Sequence, residues 1–172
     1  LNAAIAELEK VNKFTGLANE AAADGNWYYY TDGDVDEEMT GLAANANGWF
    51  YVKDGKVDFS YTGLVQNESG WWYVQNGAIS FAATGLVYDS NYGWWYVENS
   101  AINFGYTGLV YDSNCGWWYV ENGAINFGYT GLVYDSNCGW WYVENGAINF
   151  GYTGTVRNAY GVWNVVGGAV RF

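Results

Sequence analysis

The chain has 172 residues, a net charge of −12 from 18 acidic and 6 basic residues, 21% aromatic residues, and neither His nor Pro. That charge repels a phosphate backbone, which excludes nucleic acid as a partner. Without His there is no Ser-His or Cys-His pair, so no enzyme is expected and no catalytic residue is assigned. No apolar run approaches the ~18 residues of a membrane span, so membrane insertion is not expected either.

In chain order, residues 1–14, LNAAIAELEKVNKF, place Ile5, Leu8 and Val11 at helical spacing among good helix formers. The spacing predicts a short leader helix or linker over 1–14. From there the dipeptide Thr-Gly recurs at Thr15, Thr40, Thr62, Thr84, Thr107, Thr130 and Thr153, a period of 22 or 23 residues after a longer first step. Residues 15–172 therefore form one domain of about seven repeats.

Each repeat carries an aromatic run, a turn dipeptide and a second apolar run. Asp32-Gly33, Asp54-Gly55, Asn76-Gly77, Asn122-Gly123 and Asn145-Gly146 are type I′ hairpin dipeptides, with Asn99-Ser100 and Gly167-Gly168 as variants. A two-residue turn fixes register. In the fifth repeat it sets Glu121 opposite Ala124, Val120 opposite Ile125, Tyr119 opposite Asn126 and Trp118 opposite Phe127. One face is then Trp118, Val120, Ile125 and Phe127, wholly apolar; the other is Trp117, Tyr119, Glu121, Ala124 and Asn126. A lone hairpin cannot bury an apolar face. The expected fold class is all-β, a solenoid of stacked β-hairpins with the last repeat as a cap, since Val162 and Asn164 drop both mixed-face aromatics.

Among the polar groups, the acidic stretch Asp32 to Glu38 lacks the spacing of a calcium loop, so no metal is expected there. The loops at Asp89, Asp112 and Asp135 have the composition of ordinary turns, and no cofactor is expected. Cys115 and Cys138 fall at the same place in consecutive repeats and are expected to be free thiols.

The candidate site residues are the mixed-face rings Trp71, Trp94, Trp117 and Trp140 with Tyr73, Tyr96, Tyr119 and Tyr142. Displayed rings suit sugar C–H faces or quaternary ammonium groups, the latter at about 0.5–2 kcal/mol per contact. The same rings could equally fill grooves between repeats. Weak sites repeated along one chain gain by avidity, which favours a polymeric target.

The pattern TG, then GWWYV, NG, I, F and YTG, resembles the choline- and glucan-binding cell-wall repeats of Gram-positive surface proteins and the related repeats of clostridial toxins, over Thr15 to Phe172. The resemblance implies left-handed hairpin solenoids that hold choline or sugars between successive hairpins. It also marks a departure: where the family places a Trp after Thr-Gly, this chain has Leu17, Leu42, Leu64, Leu86, Leu109 and Leu132. Tyr88, Tyr111 and Tyr134, two residues further on, are the candidates to close the cage. The function this implies is a non-catalytic module of a bacterial surface or secreted protein that binds a cell-wall polymer, glycan or choline. Its rivals are adhesin-type recognition of a host protein, such as an immunoglobulin, and a passive stalk.

Overall fold

A computed structural model describes residues 14–18 and 24–172 of the chain. The leader predicted over 1–14 falls, up to residue 13, outside the described residues. Among those described there are only strands, turns and loops, so the fold is all-β.

The described chain divides into two compact units. The first comprises residues 14–18, 24–82 and 99–101, and the second residues 83–98 and 102–172. Each is a run of hairpin repeats. In the first, the second repeat supplies strands Gly41–Asn45, Gly48–Lys53 and Lys56–Val57. In the second, the fifth supplies Gly108–Asp112, Gly116–Glu121 and Ala124–Ile125, and the sixth Gly131–Asp135, Gly139–Glu144 and Ala147–Ile148.

The repeat thus has three strands where the turn dipeptides alone suggested two. The expected hairpin is present, with Val120 opposite Ile125 and Glu121 opposite Ala124. A further hairpin pairs the Leu-Val-Tyr run with the Trp-Trp run, setting Leu109 opposite Tyr119, Val110 opposite Trp118 and Tyr111 opposite Trp117. The Asp112 carboxylate closes its loop by accepting the backbone N–H groups of Asn114 and Cys115, both at 2.9 Å. These bonds hold the Asp112 carboxyl below its ordinary pKa.

The first hairpin ends sooner than expected. Asn126 N–H still reaches the Tyr119 carbonyl at 3.0 Å, but the Asn126 side chain then accepts Gly128 N–H at 2.9 Å and bends the chain away. The vacated strand edge is taken by the next repeat: Trp118 pairs with Ala147, and Tyr119 N–H donates to Gly146 O at 2.7 Å. That hand-off recurs from Tyr96 to Gly123 and from Tyr142 to Gly168 in the second unit, and from Tyr51 to Gly77 in the first. Each turn glycine therefore lies against the preceding repeat.

The Thr-Gly signature supports the same junction. The Thr130 hydroxyl accepts Asn145 N–H at 3.1 Å while the Tyr129 carbonyl accepts Gly146 N–H at 2.9 Å, so both turn donors are satisfied by the stretch before the next strand. Tyr129 in turn donates its hydroxyl to the Leu132 carbonyl at 3.0 Å. Its ring lies 4.3 Å from that of Tyr119, and Tyr152 covers Tyr142 at 4.1 Å. At the centre of the repeats sit Val52, Val74, Val97, Val120 and Val143, all fully buried. Each contributes roughly 1.5–3 kcal/mol of apolar burial.

Candidate functional site

In the second unit, a cavity of about 60 Å³ opens between the fifth and sixth repeats, lined by Leu109, Trp117, Cys138, Trp141, Ile148 and Phe150. Its walls follow from the strand pairing. Leu109 and Trp117 point to one face of the fifth repeat's sheet, and Trp141, on the sixth repeat's strand, projects from the opposite face of its own. The first Trp of one repeat thus meets the second Trp of the next.

Trp141 is held by its indole N–H, which donates to the Cys138 carbonyl at 3.1 Å. Phe150 stands edge-on to it, with centroids 5.6 Å apart and planes at 72°. On its outer side, Trp117 carries Tyr111 at 5.4 Å and 49°. The fourth and fifth repeats gather the equivalent residues: Leu86, Trp94 and Trp118 pack with buried Ile125, and Phe127 stands against Trp118 at 5.5 Å.

No hydroxyl, amide or charged side chain lines the cavity. Its one titratable group is the Cys138 thiol, which desolvation and the Asp135 carboxylate push above its ordinary value. The surroundings are negative: Arg157 and Arg171 are the bases of the second unit, against Asp89, Glu98, Asp112, Glu121, Asp135 and Glu144. An apolar pocket walled by electron-rich rings within a negative field suits a cation with an apolar surface. Among the described residues no cluster of His, Cys, Asp or Glu is arranged to hold a metal ion.

The residues singled out in the sequence divide into three groups. Trp71, Trp94, Trp117 and Trp140 are half-buried. Tyr119 and Tyr142 are buried and Tyr73 and Tyr96 half-buried; Tyr96, Tyr119 and Tyr142 stack on Tyr106, Tyr129 and Tyr152, and burial raises the pKa of all three. Tyr88, Tyr111 and Tyr134 are more than half exposed and lean on Trp94, Trp117 and Trp140 from outside. In the cavity, the wall beside Trp117 is Leu109, the residue after Thr-Gly.

Sequence reasoning assigned Trp118 and Phe127 to a core face. Both instead stand at the junction of repeats, Trp118 half-buried and Phe127 52% exposed. Trp141, Ile148 and Phe150 were missed as lining for the same reason. The available signal was the exact periodicity of Phe104, Phe127 and Phe150, large apolar residues just after the strand end and before a turn-forming Gly.

Repeated hairpins whose aromatic side chains converge at the junctions define a class of repeat-built binding module. Segments 38–58, 60–80, 82–103, 105–126 and 128–149 match the family model of the choline-binding repeat, and the chain belongs to that family. No curated protein matches it. Repeats of this family are typically non-catalytic and typically occur in cell-surface proteins. Among the described residues, no helix is long and apolar enough to cross a membrane.

Proposed function

We propose that the chain is a cell-wall attachment module of an extracellular or surface protein, holding the trimethylammonium groups of a choline-bearing polymer in the cavities between successive repeats. The observation that carries this reading is the lining of Leu109, Trp117, Cys138, Trp141, Ile148 and Phe150: three rings, two aliphatic side chains and one thiol, with no hydroxyl, amide or charged side chain. A sugar desolvated there would leave its hydroxyls unpaired, at about 1–3 kcal/mol each. A quaternary ammonium has no donor to satisfy, and each ring contributes about 0.5–2 kcal/mol.

Trp94 with Trp118 and Phe127 supplies the equivalent site one repeat earlier. Tyr73, Tyr96, Tyr119 and Tyr142 are assigned to packing, and the last repeat to a cap that closes the row. Individual sites are weak, and attachment comes from several engaging one polymer.

The test is a calorimetric titration with choline beside its uncharged isostere 3,3-dimethyl-1-butanol, on the native chain and on Trp117→Ala and Phe150→Ala. Choline binds the native chain, the isostere binds more weakly, and either variant loses the Trp117 site. Equal binding of the two compounds would remove the cation from the reading. Choline binding untouched by both variants would place the site elsewhere.

A further inference from the structure

The chain contains four Asn-Gly dipeptides, Asn47-Gly48, Asn76-Gly77, Asn122-Gly123 and Asn145-Gly146. In each, the amide nitrogen of the glycine follows directly on a side-chain carbonyl carbon, and no Cβ hinders its approach to that carbon. Such a pair can close on itself. The asparagine is exposed in all four, so the carbonyl is equally open to attack, and the state of the glycine amide decides which pair reacts.

Three of the glycine amides are locked. Gly77 N–H donates to the Tyr61 carbonyl at 2.8 Å, Gly123 N–H to Tyr106 at 2.9 Å and Gly146 N–H to Tyr129 at 2.9 Å, and all three glycines are buried. The asparagines before them are fixed as well, at φ 50°, 52° and 51°, with their own N–H groups donating to the Thr62, Thr107 and Thr130 hydroxyls at 3.1 Å. Freeing one of these amides means lifting the turn off the stretch that supports it.

Asn47-Gly48 is held differently. It lies at the tip of the hairpin between Gly41–Asn45 and Gly48–Lys53, and its bonds stay within the loop: Asn47 N–H donates to Asn45 Oδ1 at 2.8 Å, and Gly48 is the last residue of the ladder, opposite Asn45. Gly48 is half-buried, and the one atom that a Cβ built on it would meet is Phe50 Cε2, at 4.0 Å. Exposing its amide requires only fraying of one hairpin end, which opens at far lower free energy than a packed turn.

We propose that Asn47 is a site of spontaneous deamidation, and that the contact between each turn and the preceding repeat shields Asn76, Asn122 and Asn145. The Gly48 amide nitrogen gives up its proton to solvent and bonds to Asn47 Cγ; the Cγ–Nδ2 bond breaks, ammonia leaves, and a cyclic imide forms. Water then opens the ring at either carbonyl to give aspartate or isoaspartate, so one water is consumed and one ammonia released, with no oxidant or reductant. The product places a new negative charge in the loop that leads into Trp49. Asp32 and Asp54 already occupy the turn position of Asn76, Asn122 and Asn145, so what protects those turns is the locked glycine amide and not an intolerance of aspartate. The proposal is independent of the choline reading.

Peptide mapping by mass spectrometry follows the four sites in the native chain and in the guanidinium-unfolded chain, incubated side by side in mildly alkaline buffer. Unfolded, all four react at similar rates. In the native chain Asn47 keeps most of its unfolded rate, while Asn76, Asn122 and Asn145 each slow by at least about tenfold. Native-state hydrogen exchange on the same protein ranks the Gly48 amide well ahead of Gly77, Gly123 and Gly146. The proposal is overturned if Asn47 reacts no faster than the other three in the native chain, if folding slows none of them, or if the Gly48 amide is as protected as the turn glycines.

Discussion

Replacing Gly146 by Ala tests whether each turn presses on the preceding repeat. Gly146 has φ +81°, and a Cβ built there would come within 2.6 Å of the Asn126 carbonyl oxygen and 2.9 Å of Phe127 Cα, both backbone atoms with little freedom to retreat. Gly139, in the same repeat, has nearly the same conformation, φ +85°, with no atom within 4 Å of its Cβ position. Gly139→Ala thus reports the left-handed backbone alone, about 1–2 kcal/mol. Gly146→Ala adds an overpacking cost of about 1–3 kcal/mol, for a loss of roughly 2–5 kcal/mol in all. The protein contains its own precedent. Ser100 occupies the equivalent turn position, fully buried at φ +67°, and the stretch it abuts, joined by a 3.5 Å contact between the Ser100 and Ser80 hydroxyls, contains Phe81 at φ +57°. A bulky residue in that region is strained, as expected if the added side chain has displaced the neighbouring backbone. Urea unfolding followed by Trp fluorescence supplies the comparison, read as shifts in midpoint at constant slope. If the two variants lose equal stability, the turn glycines are required only for their conformation, and the steric account of the junction fails.

Tyr142→Ala should cost about 3–5 kcal/mol as a buried aromatic truncation and leave choline affinity unchanged; loss of affinity with stability intact would return that ring to the site. Tyr129→Phe removes the donor to the Leu132 carbonyl and should cost about 1 kcal/mol, measured in the same urea experiment. Burial raises the pKa of Tyr96, Tyr106, Tyr119, Tyr129 and Tyr142 in the fold, which favours their neutral forms. Their contribution is complete below the unfolded phenol value of about 10 and disappears as pH rises through the higher folded values. Midpoints flat from about pH 8 to 10 and falling above it would match, whereas a gain above pH 10 would contradict the direction. Cys115 and Cys138 are exposed and unpaired, so native monomer should titrate both with a thiol reagent, and choline should slow the reaction of Cys138 because that residue lines the cavity.

The sequence carried the architecture further than it carried the site, for an identifiable reason. Asn145-Gly146 and its counterparts mark a local event, a two-residue turn, and the Val143 to Ile148 pairing follows from it without knowledge of anything distant. The pairing of Tyr111 with Trp117 was less legible because its loop, Ser113-Asn114-Cys115, lacks an Asn-Gly signature and is closed by the Asp112 side chain. The cavity was least legible. Leu109 and Trp117 belong to one repeat and Trp141 and Phe150 to the next, and only the hand-off from Tyr119 N–H to Gly146 O fixes how the two meet. Face alternation within one hairpin correctly separates Trp117 from Trp118. It carries no information on which face the next repeat covers, so Tyr119 read as displayed when the following Tyr129 in fact covers it.

A Trp and a Phe at the same place in the repeat are held differently. Trp141 has an indole N–H and donates it to the Cys138 carbonyl; Trp72 and Trp163 donate theirs to Asn67 and Asn158. That bond ties the ring to its own loop, and at Trp141 the tied ring forms one wall of a cavity whose other walls come from the neighbouring repeat. Phe50 occupies the same place in the second repeat and has no N–H. Its ring rests 5.1 Å from Trp27 and 6.2 Å from Phe59, while Trp27 and Phe59 lie 6.0 Å apart, so the three rings contact one another. Beside it, Asn45, the counterpart of Asn67 and Asn158, has no indole N–H to accept, and its amide nitrogen is buried without a hydrogen-bond partner. The Phe50 junction thus brings three rings into mutual contact, whereas the Trp141 junction, built on the same strands, turn and Thr-Gly support, borders a cavity.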